Sequence, residues 1–246
     1  MVTYPMLQDF LQGMRQLVFP DNCLLCKQFL NSQHHKQLCD ACSAQIQKNT
    51  PPFCLTCSRH LQVMSADGLC LACQQQSYAF NEAWSTCLYT DAMAKLLHAF
   101  KYHHKTLLRK TFVELMSGFI DEYHLPLNTF DFICPLPLHP TRLRERGYNQ
   151  SQLLSQALAQ KYTLPHAANI IQRTRLTESQ TTLTAKQRWT NLRGAFKINN
   201  PSAIADKNIL LVDDLFTTGA TANACAEALK DAGCAYVGVL TLAITE

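Results

Sequence analysis

The sequence predicts an α/β protein in which a mostly parallel sheet flanked by helices follows an amino-terminal, cysteine-rich zinc-binding module. Three observations carry this expectation. Four Cys-x-x-Cys pairs lie between Cys23 and Cys73. Beyond them, strand-like apolar runs alternate with helical patterns, the arrangement that yields a parallel sheet covered by helices. Finally, an apolar run at residues 209–212 ends in two adjacent acids, Asp213 and Asp214, and turns through a small, hydroxyl-rich segment.

In chain order, residues 1–20 place Leu7, Phe10, Leu11, Met14, Leu17 and Val18 at helical spacing, so an amphipathic helix ended by Pro20 is expected there. Neither an uninterrupted apolar leader with a small-residue cleavage site nor a run of about 20 apolar residues is present. A cytoplasmic chain with no membrane insertion is the expectation. Residues 21–78 form the cysteine module. Residues 79–246 form the α/β domain, with strands expected at 83–89, 130–134, 208–214 and 236–244. Helices are expected at 92–100, 107–123, 150–162 and 219–233. At 246 residues and 47% hydrophobic content, one substantial core and one smaller module are affordable.

The cysteine pairs are Cys23/Cys26, Cys39/Cys42, Cys54/Cys57 and Cys70/Cys73. The first two recur 31 residues later as the last two, and "LCDAC" is echoed by "LCLAC", so the module is a duplication. In a reducing compartment, two such thiolate pairs complete one tetrahedral Zn²⁺ site. The whole repeat favours two structural zinc ions, one per repeat; spacing alone also permits a cross-braced pairing of the first pair with the third. His34, His35 and His60 read as surface residues, because each repeat already supplies four thiolates. Cys87, Cys134, Cys225 and Cys234 stand singly in apolar surroundings and read as core residues.

The carboxyl ends of parallel strands are where such sheets bind ligands. The turn Thr217, Thr218, Gly219, Ala220, Thr221 opens the following helix, and its backbone N–H groups and hydroxyls make a phosphate cradle. Asp213 and Asp214 beside it suit vicinal ribose hydroxyls or a hydrated Mg²⁺. A receiver-type acid pair would stand near the start of its domain; here only 32 residues follow Asp214.

The segment "ILLVDDLFTTGAT" resembles the phosphoribosyl-pyrophosphate (PRPP) fingerprint of type I phosphoribosyltransferases. Together with the cysteine module, "FKYHHK", "PLPLHPTRLRERGYNQ" and "RTRLTESQTTLTAKQRWTNLRGAF", it makes the whole chain similar to the ComF competence-protein family. That resemblance implies a type I phosphoribosyltransferase-like domain behind a double zinc ribbon. It implies that Asp213 and Asp214 hold ribose hydroxyls and that residues 217–221 hold the 5-phosphate of PRPP with Mg²⁺. Arg142, Arg144 and Arg146 fall where the transferases keep a pyrophosphate loop, and three arginines in a turn suit a diphosphate. Residues 173–193 match a mobile loop, with Gln180, Arg188 and Asn191 on its motif positions.

Two functional classes follow. One is an active phosphoribosyltransferase in which a nitrogen nucleophile displaces pyrophosphate; no acceptor pocket is legible for it. The other, which the resemblance favours, is a natural-transformation protein that binds a phosphoribosyl ligand and handles single-stranded DNA alongside other DNA-uptake proteins. Charge agrees with a polyanionic partner: residues 81–200 carry 15 Lys+Arg against 8 Asp+Glu, a net +7, whereas residues 201–246 carry 2 against 6. Aromatics able to stack on bases are sparse there, with Tyr102, Tyr148 and Trp189 the candidates.

Overall fold

The computed structural model describes residues 22–30, 37–62, 65–175, 192 and 194–245. The helix expected over residues 1–20 lies outside the described residues, as do His34, His35, Gln180, Arg188, Trp189 and Asn191.

Four parallel strands build the central sheet: β1 (Glu82–Leu88), β2 (Phe132–Pro135), β5 (Asn208–Phe216) and β6 (Tyr236–Ile244), in the order β1-β6-β5-β2. The two central strands are the most apolar, and residues 209–212 and 237–244 are all buried, as a strand covered on both faces requires. Strand β5 runs two residues further than expected, so the acid pair lies within its pairing with β6, where Asp213 stands opposite Thr241. A short antiparallel hairpin, β3 (Ile171–Arg173) with β4 (Phe196–Ile198), was not expected from the sequence.

Side chains alternate across β5. Ile209 and Leu211 join one apolar cluster with Cys225 and Leu229 of helix Ala220–Asp231, the β3–β4 pair and the second cysteine repeat. Leu210 and Val212 join the other, built from Met93, Leu96 and Phe100 of Asp91–Tyr102, Phe112 and Met116 of Leu108–Glu122, Leu154 and Leu158 of Gln150–Tyr162, and the first repeat. The four helices expected within residues 79–246 therefore form, each burying an apolar stripe. The four single cysteines, Cys87, Cys134, Cys225 and Cys234, are buried in these clusters.

Each cysteine repeat folds the same way. The Lys27 N–H donates to the Cys23 carbonyl at 2.9 Å and the Ser58 N–H to the Cys54 carbonyl at 3.0 Å, with Lys27 and Ser58 both at φ 64°. The chain between the repeats, together with the first turn of the second repeat, closes the free edge of β1. There the Asn49 N–H donates to the Thr86 carbonyl (2.9 Å), the Leu88 N–H to the Gln47 carbonyl (2.9 Å) and the Ala83 N–H to the Thr56 carbonyl (2.8 Å). An edge strand needs such cover to avoid pairing with other chains. Buried Asn49 locks the seam, donating to the carbonyls of Ser58 (2.7 Å) and Ser85 (3.0 Å).

Candidate functional site

The thiol sulfurs of Cys23, Cys26, Cys39 and Cys42 lie within 4.8 Å of one another, and so do those of Cys54, Cys57, Cys70 and Cys73. The pairing is thus sequential, one quartet per repeat. Cys26 and Cys39 Sγ are 3.7 Å apart and Cys57 and Cys70 Sγ 3.6 Å. A tetrahedral Zn²⁺ with Zn–S near 2.3 Å sets sulfurs about 3.8 Å apart, so donor set and spacing both fit zinc. His60 is not among these ligands; its Nδ1 lies 2.9 Å from the Thr50 carbonyl.

In the α/β domain, β5 delivers Asp213 and Asp214 to the carboxyl edge of the sheet, and residues 217–219 turn into helix Ala220–Asp231. Gly219, its N-cap, has φ 73°, the left-handed region that a side chain disfavours. A Cβ there would also stand 2.6 Å from the Phe216 ring and 2.9 Å from that of Tyr78.

The two acids have different partners. Asp214 Oδ2 pairs with Lys101 Nζ at 2.7 Å, in a setting where the two side chains are 8% and 20% exposed. Burial by itself would lower the Lys101 pKa; the charge of Asp214 outweighs it and holds the ammonium above its ordinary value. Asp213 Oδ1 accepts from Ser151 Oγ at 2.8 Å and from the Asp214 N–H at 2.9 Å. Burial, then the neighbouring charge of Asp214, pushes the Asp213 carboxyl up to about 6. Ser151 is held in place by Asn149, which caps Gln150–Tyr162 by accepting from the Ser151 N–H and anchors itself on the Leu136 carbonyl.

Arg142, Arg144 and Arg146 lie on a seven-residue helix, Pro140–Arg146, and not in the turn that the sequence suggested. His139 caps it, Pro140 occupies its first turn and Gly147 closes it at φ 79°. Helical geometry separates residues two apart and aligns residues four apart, so the three do not act as one row. Arg146 bonds Gln150 Oε1 at 2.7 Å and lies over the Tyr102 ring, and its charge reaches Lys101. Arg142 pairs with Glu145 at 3.3 Å and its charge reaches Arg173, which in turn senses Asp213. Arg144 contacts Thr141 Oγ1 at 3.4 Å. Lys101 therefore contacts the acid pair directly, while Arg146 acts on Lys101 and Asp213 on Arg173 through their charges. The acid pair beside the helix start can hold an anion and a polyol together.

Sequence reasoning did not single out Lys101, Ser151 or Arg59. Lys101 had a signal: four residues after buried Leu97, it continues the apolar stripe of its helix, where a charge needs a partner. Arg59, in the second cysteine repeat, donates from Nη2 to the Thr217 carbonyl at 2.6 Å. A cavity of about 730 Å³ opens on this side, with Arg59, His60, Leu69, Tyr78 and Thr218 in its wall. Among the described residues, no helix is long and apolar enough to cross a membrane.

Comparison with known proteins matches residues 14–79 to the double zinc ribbon domain and residues 146–244 to the phosphoribosyl transferase domain. The chain is 32% identical over 158 residues to Competence protein F of Haemophilus influenzae, covering 63% of this chain and 69% of that protein. It is 30% identical over 161 residues to DNA utilization protein YhgH of Escherichia coli strain K12, covering 64% and 69%. Competence protein ComFC of Streptococcus pneumoniae is 30% identical over 154 residues, covering 63% and 64%. A double zinc ribbon followed by a phosphoribosyltransferase-like parallel α/β domain is thus the architecture of this chain.

Proposed function

Because the chain belongs to the ComF family of competence proteins, we propose that it handles incoming single-stranded DNA in the cytoplasm during natural transformation. On this reading it also binds PRPP or a related phosphoribosyl ligand, with Mg²⁺, at residues 213–221. The observation that carries the reading is the junction of the acid pair with the start of helix Ala220–Asp231, with Lys101 paired to Asp214. Backbone N–H groups and the hydroxyls of Thr217, Thr218 and Thr221 take the 5-phosphate. Asp213 and Asp214 take the ribose hydroxyls or Mg²⁺, an ion that supplies charge neutralisation to pyrophosphate oxygens. Arg142 and Arg146, one helical turn apart, would take the leaving diphosphate or, equally, a DNA backbone phosphate, and this shared chemistry makes the two ligands competitors.

A titration with a fluorescent oligothymidylate across a salt series tests the reading. Each neutralised phosphate of a single strand contributes a slope of about −0.7 in log affinity against log salt, so four contacts give about −3. Replacing Arg142 and Arg146 together by Gln should flatten the slope by roughly one unit, and saturating PRPP should weaken DNA binding. A slope near zero, or DNA binding indifferent to both changes, would remove Arg142 and Arg146 from the account.

A further inference from the structure

The phosphate loop is held from behind by the second cysteine repeat. Arg59 Nη2 donates to the Thr217 carbonyl at 2.6 Å, and Tyr78 Oη to the Thr218 carbonyl at 3.4 Å. The Tyr78 ring abuts Gly219, and the Ala79 N–H donates to Asn223 Oδ1 at 2.7 Å in the first turn of the following helix. In a trans peptide the carbonyl and the next residue's N–H point in opposite directions. Tying back the carbonyls of Thr217 and Thr218 therefore directs the N–H groups of Thr218 and Gly219 away from the repeat, toward the side where a phosphate is taken.

Arg59 is itself placed by the metal-binding turn. The Cys54 N–H donates to the Arg59 carbonyl at 2.8 Å, and Arg59 Nη1 lies 3.9 Å from Cys57 Sγ. Four thiolates around one Zn²⁺ leave a net negative charge, which favours a guanidinium against the cluster. The duplication supplies its own control. The position matching Arg59 in the first repeat, 31 residues earlier, is Gln28, which is exposed. The two repeats share their fold and differ at the residue that touches the loop.

We infer that Arg59 is a positioning residue, through which the second cysteine cluster sets the phosphate loop in its anion-binding conformation. The inference deepens the proposed phosphoribosyl reading and rests on it for the identity of the ligand, though the loop's conformation can be measured without one. Hydrogen exchange on the full-length, zinc-loaded chain, free of ligand, reads it directly. Arg59→Met should raise exchange of the peptide spanning residues 216–223 by about tenfold, the ratio for losing one charged hydrogen bond of about 1.4 kcal/mol. Exchange in β6 and in Leu108–Glu122 should stay unchanged. Arg59→Lys, which keeps a cationic donor, should fall between, and Gln28→Met should leave the peptide as in the parent chain. In calorimetry, PRPP with Mg²⁺ should bind Arg59→Met about tenfold more weakly while zinc content is retained. Unchanged exchange at residues 216–223 in Arg59→Met, or an equal rise in Gln28→Met, would overturn the inference. Absence of PRPP binding by the parent chain would instead count against the phosphoribosyl reading, leaving the exchange result to decide the role of Arg59.

Discussion

Lys101 Nζ stands 2.7 Å from Asp214 Oδ2, joining the end of the helix after β1 to the acid pair near the carboxyl end of β5. Both groups are largely out of water, so each carries a desolvation penalty that the other chiefly offsets. Lys101→Met should therefore cost about 3 kcal/mol in urea unfolding, because it strands a buried carboxylate. Adding Asp214→Asn to the same chain should recover most of that loss, since neither charge then remains. A double variant no better than the single one would show that Lys101 matters through packing alone.

Asp213 gives a pH signature. Its carboxyl is raised from 3.8 to about 6, so the fold favours the protonated form. The associated stability is fully present below the unfolded value of 3.8 and is lost as pH rises through about 6. In metal-free and ligand-free buffer, Asp213→Asn should match the parent chain near pH 4 and exceed it above pH 6, by roughly 1 to 2 kcal/mol after allowing for partial solvent access. A stability difference that stays flat across that range would contradict the assignment of burial and the Asp214 charge as causes.

Elemental analysis of the fully reduced, intact chain should return two zinc ions, one for each sulfur quartet. Cys42→Ser and Cys73→Ser should each lose one of the two, because no cysteine is shared between quartets. One zinc or fewer in the parent chain would contradict two independent sites.

Much of this was legible because it is local. Both quartets are pairs spaced by two residues and repeated in frame, and the acid-pair loop is one uninterrupted strand-turn-helix. The helix Pro140–Arg146 was also signalled, by proline at its start and glycine at its end, yet the arginines at alternating positions were read as a turn. The β3–β4 pair escaped because each strand is only three residues long and the two are far apart in sequence. Lys101, Ser151 and Arg59 escaped for another reason. Each meets its partner across a large sequence separation, and only the packed sheet brings Lys101 to Asp214, Ser151 to Asp213 and Arg59 to Thr217.

The central claim is that residues 213–221 hold a phosphoribosyl group, and calorimetric titration of the two-zinc chain with PRPP, with and without Mg²⁺, tests it most directly. One saturable site, tightened by Mg²⁺, is the result the account predicts. Thr221→Ala should weaken binding by roughly 1 to 2 kcal/mol through loss of one hydroxyl bond. Gly219→Ala should weaken it further, because a side chain at φ 73° meets the Phe216 and Tyr78 rings. No saturable binding by the parent chain, or equal affinity in both variants, would contradict the claim.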